Sequence, residues 1–333
     1  MNTATKRNRF VIDDELEQTK DTPYRITRND EDILDLLQIF KYLPSTYLEA
    51  FLDLHPIYLK NRLTILRHVA KVITIPASSW HAANARYRPA VYQLTGKGHA
   101  LLAAKGRTRR IFPTNEDFAH EFGGCITAAS FALGAREHPE VNFYDHEAIL
   151  ASKRCPTDTR LSKTPFQIPV VFEYHYEVRG QLRHKPLETF VKHDDKPFGF
   201  TSRADPKAQM FFGGVEFDRH TESLESQDYS ATTISKKVQA IEAVAKNDRY
   251  FTHYGIPNTF IPWVTISEGR MHSLMRVVEN VVGKKGSKRH LFTHIPDFAS
   301  FESFPPADGS MLTRNWKRVG FPDLNILEEL GVK

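Results

Sequence analysis

The string Phe212-Gly213-Gly214-Val215-Glu216-Phe217-Asp218-Arg219 sets two carboxylates at alternate positions of a segment that reads as a β-strand. Alternate side chains of a strand share a face, so Glu216 and Asp218 project together while Val215 and Phe217 pack the other side. Two carboxylates on one face can hold a divalent cation. Hard ions such as Mg²⁺ or Mn²⁺ take oxygen ligands from a few carboxylates, with water and phosphate completing the shell. A third carboxylate is available from Asp194 or Asp195, just before a short strand at Phe198, and the expected metal set is Asp195, Glu216 and Asp218. Downstream, a helix from about Ser230 carries the apolar stripe Ile234, Val238, Ile241 and Ala245, and Lys237 borders that stripe more closely than Lys236. Lys237 is therefore expected to face the carboxylates. With Glu216 and Asp218 it completes a candidate catalytic trio, and Glu121, on an earlier helix, is a candidate further ligand. The same Glu-x-Asp pattern also suits a solvated strand edge or a structural ion pair with Arg219.

The elements that would position these groups run from about Glu116 to Ser300. Phe118 to Leu133 reads as a helix in which Gly123 and Gly124 mark close packing. Ile168 to Val178 and Leu187 to Val191 flank an Arg179-Gly180-Gln181 turn, which predicts a hairpin. Strands are expected at Phe198 to Phe200, Met210 to Phe217, Phe260 to Ile266 and, last, His290 to Ile295. Helices are expected at Ser230 to Lys246 and Ser267 to Val282. Strands alternating with helices predict an α/β layered domain on a mixed sheet, α+β for the chain as a whole. Residues 301–333 read as a C-terminal extension, and no internal repeat is visible.

The first part of the chain has a different pattern. After a polar tail over residues 1–25, Thr27 is a plausible N-cap with Asp30, Glu31 and Asp32 in the first turn. Ile33, Leu36, Leu37 and Phe40 then follow helical spacing. Pro44 ends that helix, Ser45 begins a short one, and Pro56 separates a third. In the third helix Leu59, Leu63, Leu66 and Ala70 form the buried stripe, while Lys60, Thr64, Arg67 and Lys71 share a flank beside it. Val72 to Ile75 and Ala90 to Leu94 read as strands around a polar loop that holds Trp80, His81, Asn84, Arg86 and Arg88. The string Val91 to Gly98 leads into a last helix. This order predicts a winged helix-turn-helix over residues 26–104, followed by a basic linker, 105–115, containing Arg107, Arg109 and Arg110. Lys60, Thr64, Arg67, Lys71, Arg86 and Arg88 are then the candidate contacts to duplex DNA. The alternative for the same pattern is a packing or dimerisation module.

Charge favours the polyanion. From Leu54 to Asn115 there is no Asp or Glu, yet eleven Lys or Arg occur. Such confinement suits phosphate binding better than the net charge of +5 alone would suggest. The two cysteines, Cys125 and Cys155, lack zinc-site spacing and read as reduced thiols. No run reaches the ~18 apolar residues of a membrane span, and no apolar stretch follows the basic N-terminus, so a soluble cytoplasmic protein is expected.

An Asp, then Glu-x-Asp at a strand end, then a Lys on the next helix resembles a variant PD-(D/E)XK nuclease core with its lysine moved to the helix. In such cores the acids bind metal that activates water, and the lysine stabilises charge developing on phosphate. The whole arrangement resembles the replication-relaxation family of bacterial and plasmid proteins. That resemblance rests on residues 26–102 with the Val91 to Gly98 string, on Phe118-Ala119-His120-Glu121, on Asp194-Asp195, on Val215 to Glu222, and on Lys236-Lys237. It implies a DNA-binding protein of plasmid or mobile-element replication or mobilisation, with a nuclease-like second domain and replication or conjugation proteins as partners. His193 stands where a proline would precede the first acid, so the choice between Asp194 and Asp195 stays open. Three activities follow: a DNA-binding regulator or accessory, a metal-dependent nuclease or nickase, and an interaction adaptor. A relaxase of the two-histidine type is disfavoured, because no His-x-His occurs.

Overall fold

A computed structural model describes residues 24–80, 89–107, 109–110, 117–193, 197–203, 210–298 and 305–332. The chain divides into two compact units, one closing at Arg109 and the next opening at Arg110.

The first unit begins with helix α1 (Arg28–Phe40). Thr27 caps it, and the Asp30 carboxylate accepts from the Thr27 backbone N–H, a reciprocal box that satisfies end groups a helix otherwise leaves open. Its buried face is Ile33, Leu34, Leu37 and Phe40, so Leu34 takes the place expected for Leu36. The short strand β1 (Leu43–Pro44) leads into α2 (Ser45–Leu52) and α3 (Pro56–His68), where Pro56 sits at a helix start that needs no amide proton. Strands β2 (Ile73–Thr74) and β3 (Val91–Leu94) form the expected hairpin pairing. β1, which the periodicity does not reveal, joins β3 on its other edge to give an antiparallel sheet in the order β1-β3-β2. Helix α4 (Gly96–Ala104) follows a Thr95 cap. Its Gly98 lies so close to Val72 that a Cβ would fall 2.2 Å from that carbonyl oxygen.

In the second unit, chain order runs α5 (Phe118–Glu137), β4 (Val141–Tyr144), α6 (His146–Ala151), α7 (Thr157–Leu161), β5 (Gln167–Val178), β6 (Gln181–Lys192) and β7 (Phe198–Ser202). Then come β8 (Phe211–Gly213), β9 (Glu216–Asp218), α8 (Ile234–Lys246), α9 (Arg249–Tyr254), β10 (Asn258–Thr265), α10 (Glu268–Val282) and β11 (Ser287–His294). The last elements are α11 (Ser310–Thr313), β12 (Asn315–Val319), β13 (Leu324–Asn325) and α12 (Ile326–Glu329). The main sheet is mixed, as expected, in the order β13-β12-β11-β10-β8-β7-β4, with β9 also paired to β10. β8, β9 and β11 run parallel to β10, and the outer pairings are antiparallel. The segment expected as an extension thus supplies β12 and β13 to one side of the sheet, and His290 to Ile295 is not its last strand.

Helices cover both faces. On one, Val238 and Ile241 of α8 and Leu274 of α10 pack into a cluster with Trp263 and Phe292. On the other, Phe131 of the almost wholly buried α5 stacks on Trp316 with ring centres 5.7 Å apart and meets Phe198 at 4.8 Å. The hairpin β5–β6 forms its own two-stranded sheet and turns Ile168, Val170 and Val191 into the α8 cluster. Its two-residue turn needs positive φ at both Arg179 (51°) and Gly180 (76°), the turn whose twist matches a hairpin's. Neither cysteine forms a disulfide, and both are buried. Among the described residues no helix is long and apolar enough to cross a membrane.

Candidate functional site

The carboxylate cluster stands at the C-terminal ends of the central parallel strands. The expected strand over Met210 to Phe217 is two short ones, β8 and β9, that keep a common register on β10. Between them, Gly214 accommodates the ring of buried His193, against which a Cβ would fall 2.3 Å away. On β9 the alternation holds. Phe217 faces α5, where its ring lies against Gly123 and meets Phe298 edge-on at 4.9 Å. Glu216 and Asp218 point the other way, toward α8 and α10, where their ion partners lie.

Lys237 is the lysine of the pair that reaches this site. Its Nζ lies 3.5 Å from Glu216 Oε2 and 2.7 Å from Glu222 Oε1. Lys236 instead donates to the carbonyls of Tyr229 and Ala231, 2.7 Å from each, with its ammonium over the rings of Tyr174 and Tyr229. Asp218, only 5% exposed, is gripped through both oxygens by Arg270, with Nε at 2.7 Å and Nη2 at 3.1 Å. Arg270 also donates to the Glu222 carbonyl, and Thr265, opposite Asp218 on β10, donates to the same carboxylate at 3.4 Å.

Sequence reasoning passed over Glu222 and Arg270 as members of this cluster. A signal for Arg270 existed: an arginine in the first turn of α10, just after the Ser267 cap, sits against the helix dipole and so needs an anion nearby. Arg219, considered as a partner for the pair, donates to Asp117. Glu121, the candidate further ligand on α5, is only 5% exposed. Asp194 and Asp195 lie outside the described residues.

Among the described residues, Glu216 and Asp218 of the expected metal set are engaged by the protein's own cations. Arg270 occupies both oxygens of Asp218, and Glu216 shares Lys237 with Glu222. No group of three or more His, Cys, Asp or Glu among the described residues is arranged to hold a metal. What the cluster does form is a network of three carboxylates and two cations that ties β9, α8 and α10 together.

Farther along α8, Glu242 accepts from His290 at 3.0 Å and from Arg289 at 2.8 Å, and Trp263 donates to the other ring nitrogen of His290 at 2.8 Å. Burial pushes the Glu242 carboxyl up, but these donors more than offset it and hold it low, while burial depresses His290. Glu242 is therefore the charged member and His290 a neutral bridge.

In the first unit, α3 turns Leu59, Leu63 and Leu66 inward. Lys60 is exposed, and Thr64 and Arg67 are half-buried beside it. The helix stops at His68, so Lys71 does not continue the helical row; it sits in a turn with φ of 55°. Ala70, expected in the same stripe, is buried just beyond the helix. Some of the basic excess is already neutralised. Arg62 pairs with buried Asp30, Lys105 with Glu31, and Arg107 with Asp35 at 2.7 Å. In the second unit, the Arg110 guanidinium donates to the carbonyls of Arg160 and Ser162. Arg86 and Arg88 lie outside the described residues, as do His81 and Asn84. No family model, curated protein or solved structure matches this chain.

Proposed function

We propose that this protein binds duplex DNA through its first unit, acting as a winged helix-turn-helix. In this reading α2 and α3 are the helix-turn-helix pair, α3 enters the major groove, and the β2–β3 hairpin is the base of the wing. The observation that carries it is the two-sidedness of α3. Three leucines bind the helix to its own core, while Lys60, Thr64 and Arg67 line another side within a stretch of sequence free of carboxylates. Lys60 and Arg67 supply phosphate or guanine contacts, and Thr64 can bond a base edge. The acids of α1 support the same reading, because they neutralise Arg62, Lys105 and Arg107 and so confine the remaining positive charge. Action in plasmid or mobile-element replication or mobilisation, alongside replication or conjugation proteins, rests on the motif resemblance alone.

Lys60→Ala combined with Arg67→Ala tests this. Removing two phosphate contacts lowers DNA affinity and flattens the dependence of log K on log salt by about 1.8, at about 0.9 per phosphate. A gel-shift series in rising salt reads both quantities, and unchanged affinity with a folded variant would overturn the assignment.

One observation favours a second reading, a nuclease using Mg²⁺ or Mn²⁺: Lys237 stands 3.5 Å from Glu216 at the ends of parallel strands. That reading requires Arg270 to release Asp218. Nicking of supercoiled plasmid in either metal, lost in Glu216→Gln, would establish it in place of a purely binding role.

A further inference from the structure

His175 and His184 face each other across the β5–β6 hairpin, in direct register, on its solvent side. Counting from the two-residue turn, whose flanking pair Val178 and Gln181 closes the ladder, the hydrogen-bonded pairs fall at Tyr176–Arg183 and Tyr174–Lys185. His175–His184 is therefore a non-hydrogen-bonded pair, the kind in which facing side chains stand closest. A separate contact agrees. The His175 backbone N–H, turned away from β6, donates to Gln239 Oε1 at 2.8 Å, and Gln239 Nε2 donates back to the His175 carbonyl at 2.8 Å. This two-point clasp from α8 holds the strand position of His175 whether or not anything is bound.

The imidazole rings lie 5.8 Å apart, centre to centre, and are inclined by 49°. A metal bonded to two imidazole nitrogens at about 2.0–2.1 Å, at a tetrahedral angle, puts the ring centres about 5 Å apart. Small χ rotations of two exposed side chains close that gap. Glu173 and Glu177, two residues to either side of His175, share its solvent face.

We propose that this pair is a two-imidazole binding site for a borderline divalent transition ion, Zn²⁺, Ni²⁺ or Cu²⁺, with water completing the shell. Nitrogen donors select such ions over Mg²⁺. The site is separate from the carboxylates on β9 and independent of how those are used. It also joins the two strands of a hairpin that forms a two-stranded sheet of its own.

Equilibrium dialysis of the full chain against Zn²⁺ and Cu²⁺ tests it, with wild type, His175→Gln, His184→Gln and, as a control carboxylate exposed on α10, Glu279→Gln compared in parallel. Glutamine preserves the backbone bonds to Gln239, and far-UV circular dichroism checks the hairpin. The expected result is one equivalent of metal fewer in each histidine variant, and an unchanged count in Glu279→Gln. The Cu²⁺ form should show two-nitrogen coordination by electron paramagnetic resonance, a signal lost in either single variant. Equal stoichiometry in wild type and both folded histidine variants would overturn the proposal, as would loss of the equivalent in only one of them.

Discussion

Replacing Asp30 by alanine should loosen the whole first unit. The Asp30 side chain is fully buried, and its carboxylate accepts from Thr27 N at 2.7 Å, Thr27 Oγ1 at 2.8 Å, Tyr24 at 2.5 Å and Arg62 Nε at 2.9 Å. Arg62, on α3, is itself only 15% exposed. The substitution removes the carboxylate half of the α1 capping box, leaving the Thr27 cap, and strands the guanidinium without its anion. Removing one partner of a buried pair costs about 3–5 kcal/mol, because the other charge stays desolvated. At about 1.4 kcal/mol per tenfold, amide exchange in α1 and α3 should accelerate by a hundredfold to a thousandfold or more, measured in the full chain so that the second unit serves as an internal control. Asp30→Asn keeps the shape and one acceptor, and should fall between wild type and alanine. The pH dependence has a definite sign. Burial pushes the Asp30 carboxyl up, but Arg62, Tyr24 and Thr27 more than offset it and hold it below its ordinary value. Its stabilisation is complete above the unfolded value near ~3.9 and is lost as pH falls through the lower folded one. Acceleration of less than about tenfold, or no acid sensitivity beyond that of Asp30→Asn, would refute the reasoning.

Other consequences concern the second unit. Gly123→Ala should destabilise it by about 1–3 kcal/mol in urea unfolding, because the new Cβ would fall 2.2 Å from a ring carbon of Phe217. The helix propensity gained, about 0.5–1 kcal/mol, is smaller; a stabilised variant would mean the ring can retreat. Asp218→Ala and Arg270→Ala should each cost about 3–5 kcal/mol, yet the double variant should cost well under their sum. Strict additivity in that cycle would show that the two-point grip is not an energetic unit.

Where local chemistry suffices, the sequence was legible. The Thr27 cap and Pro56 act within a few residues, so they mark helix starts without reference to the rest of the chain. The two-residue period of a strand put Glu216 and Asp218 on one face, and the helical period chose Lys237 over Lys236. A helix end was less legible: α3 stops at His68, where chain geometry, not the recurrence of Lys60, Thr64, Arg67 and Lys71, decides. The single strand read over Met210 to Phe217 divides at Gly214 because His193, some twenty positions away, lies against it.

Tertiary structure alone decided what these groups touch. Arg62 meets Asp30 across 32 positions, Arg270 meets Asp218 across 52, and β1 finds β3 through an intervening pair of helices. β12 joins β11, and β13 joins β12, by antiparallel pairing that no local period announces. Side-chain periodicity reports which way a residue points relative to its own element, a property of a few adjacent dihedrals. Which residue waits on the other side depends on how distant segments share one core, and there the carboxylates of β9 met cations of the protein's own helices.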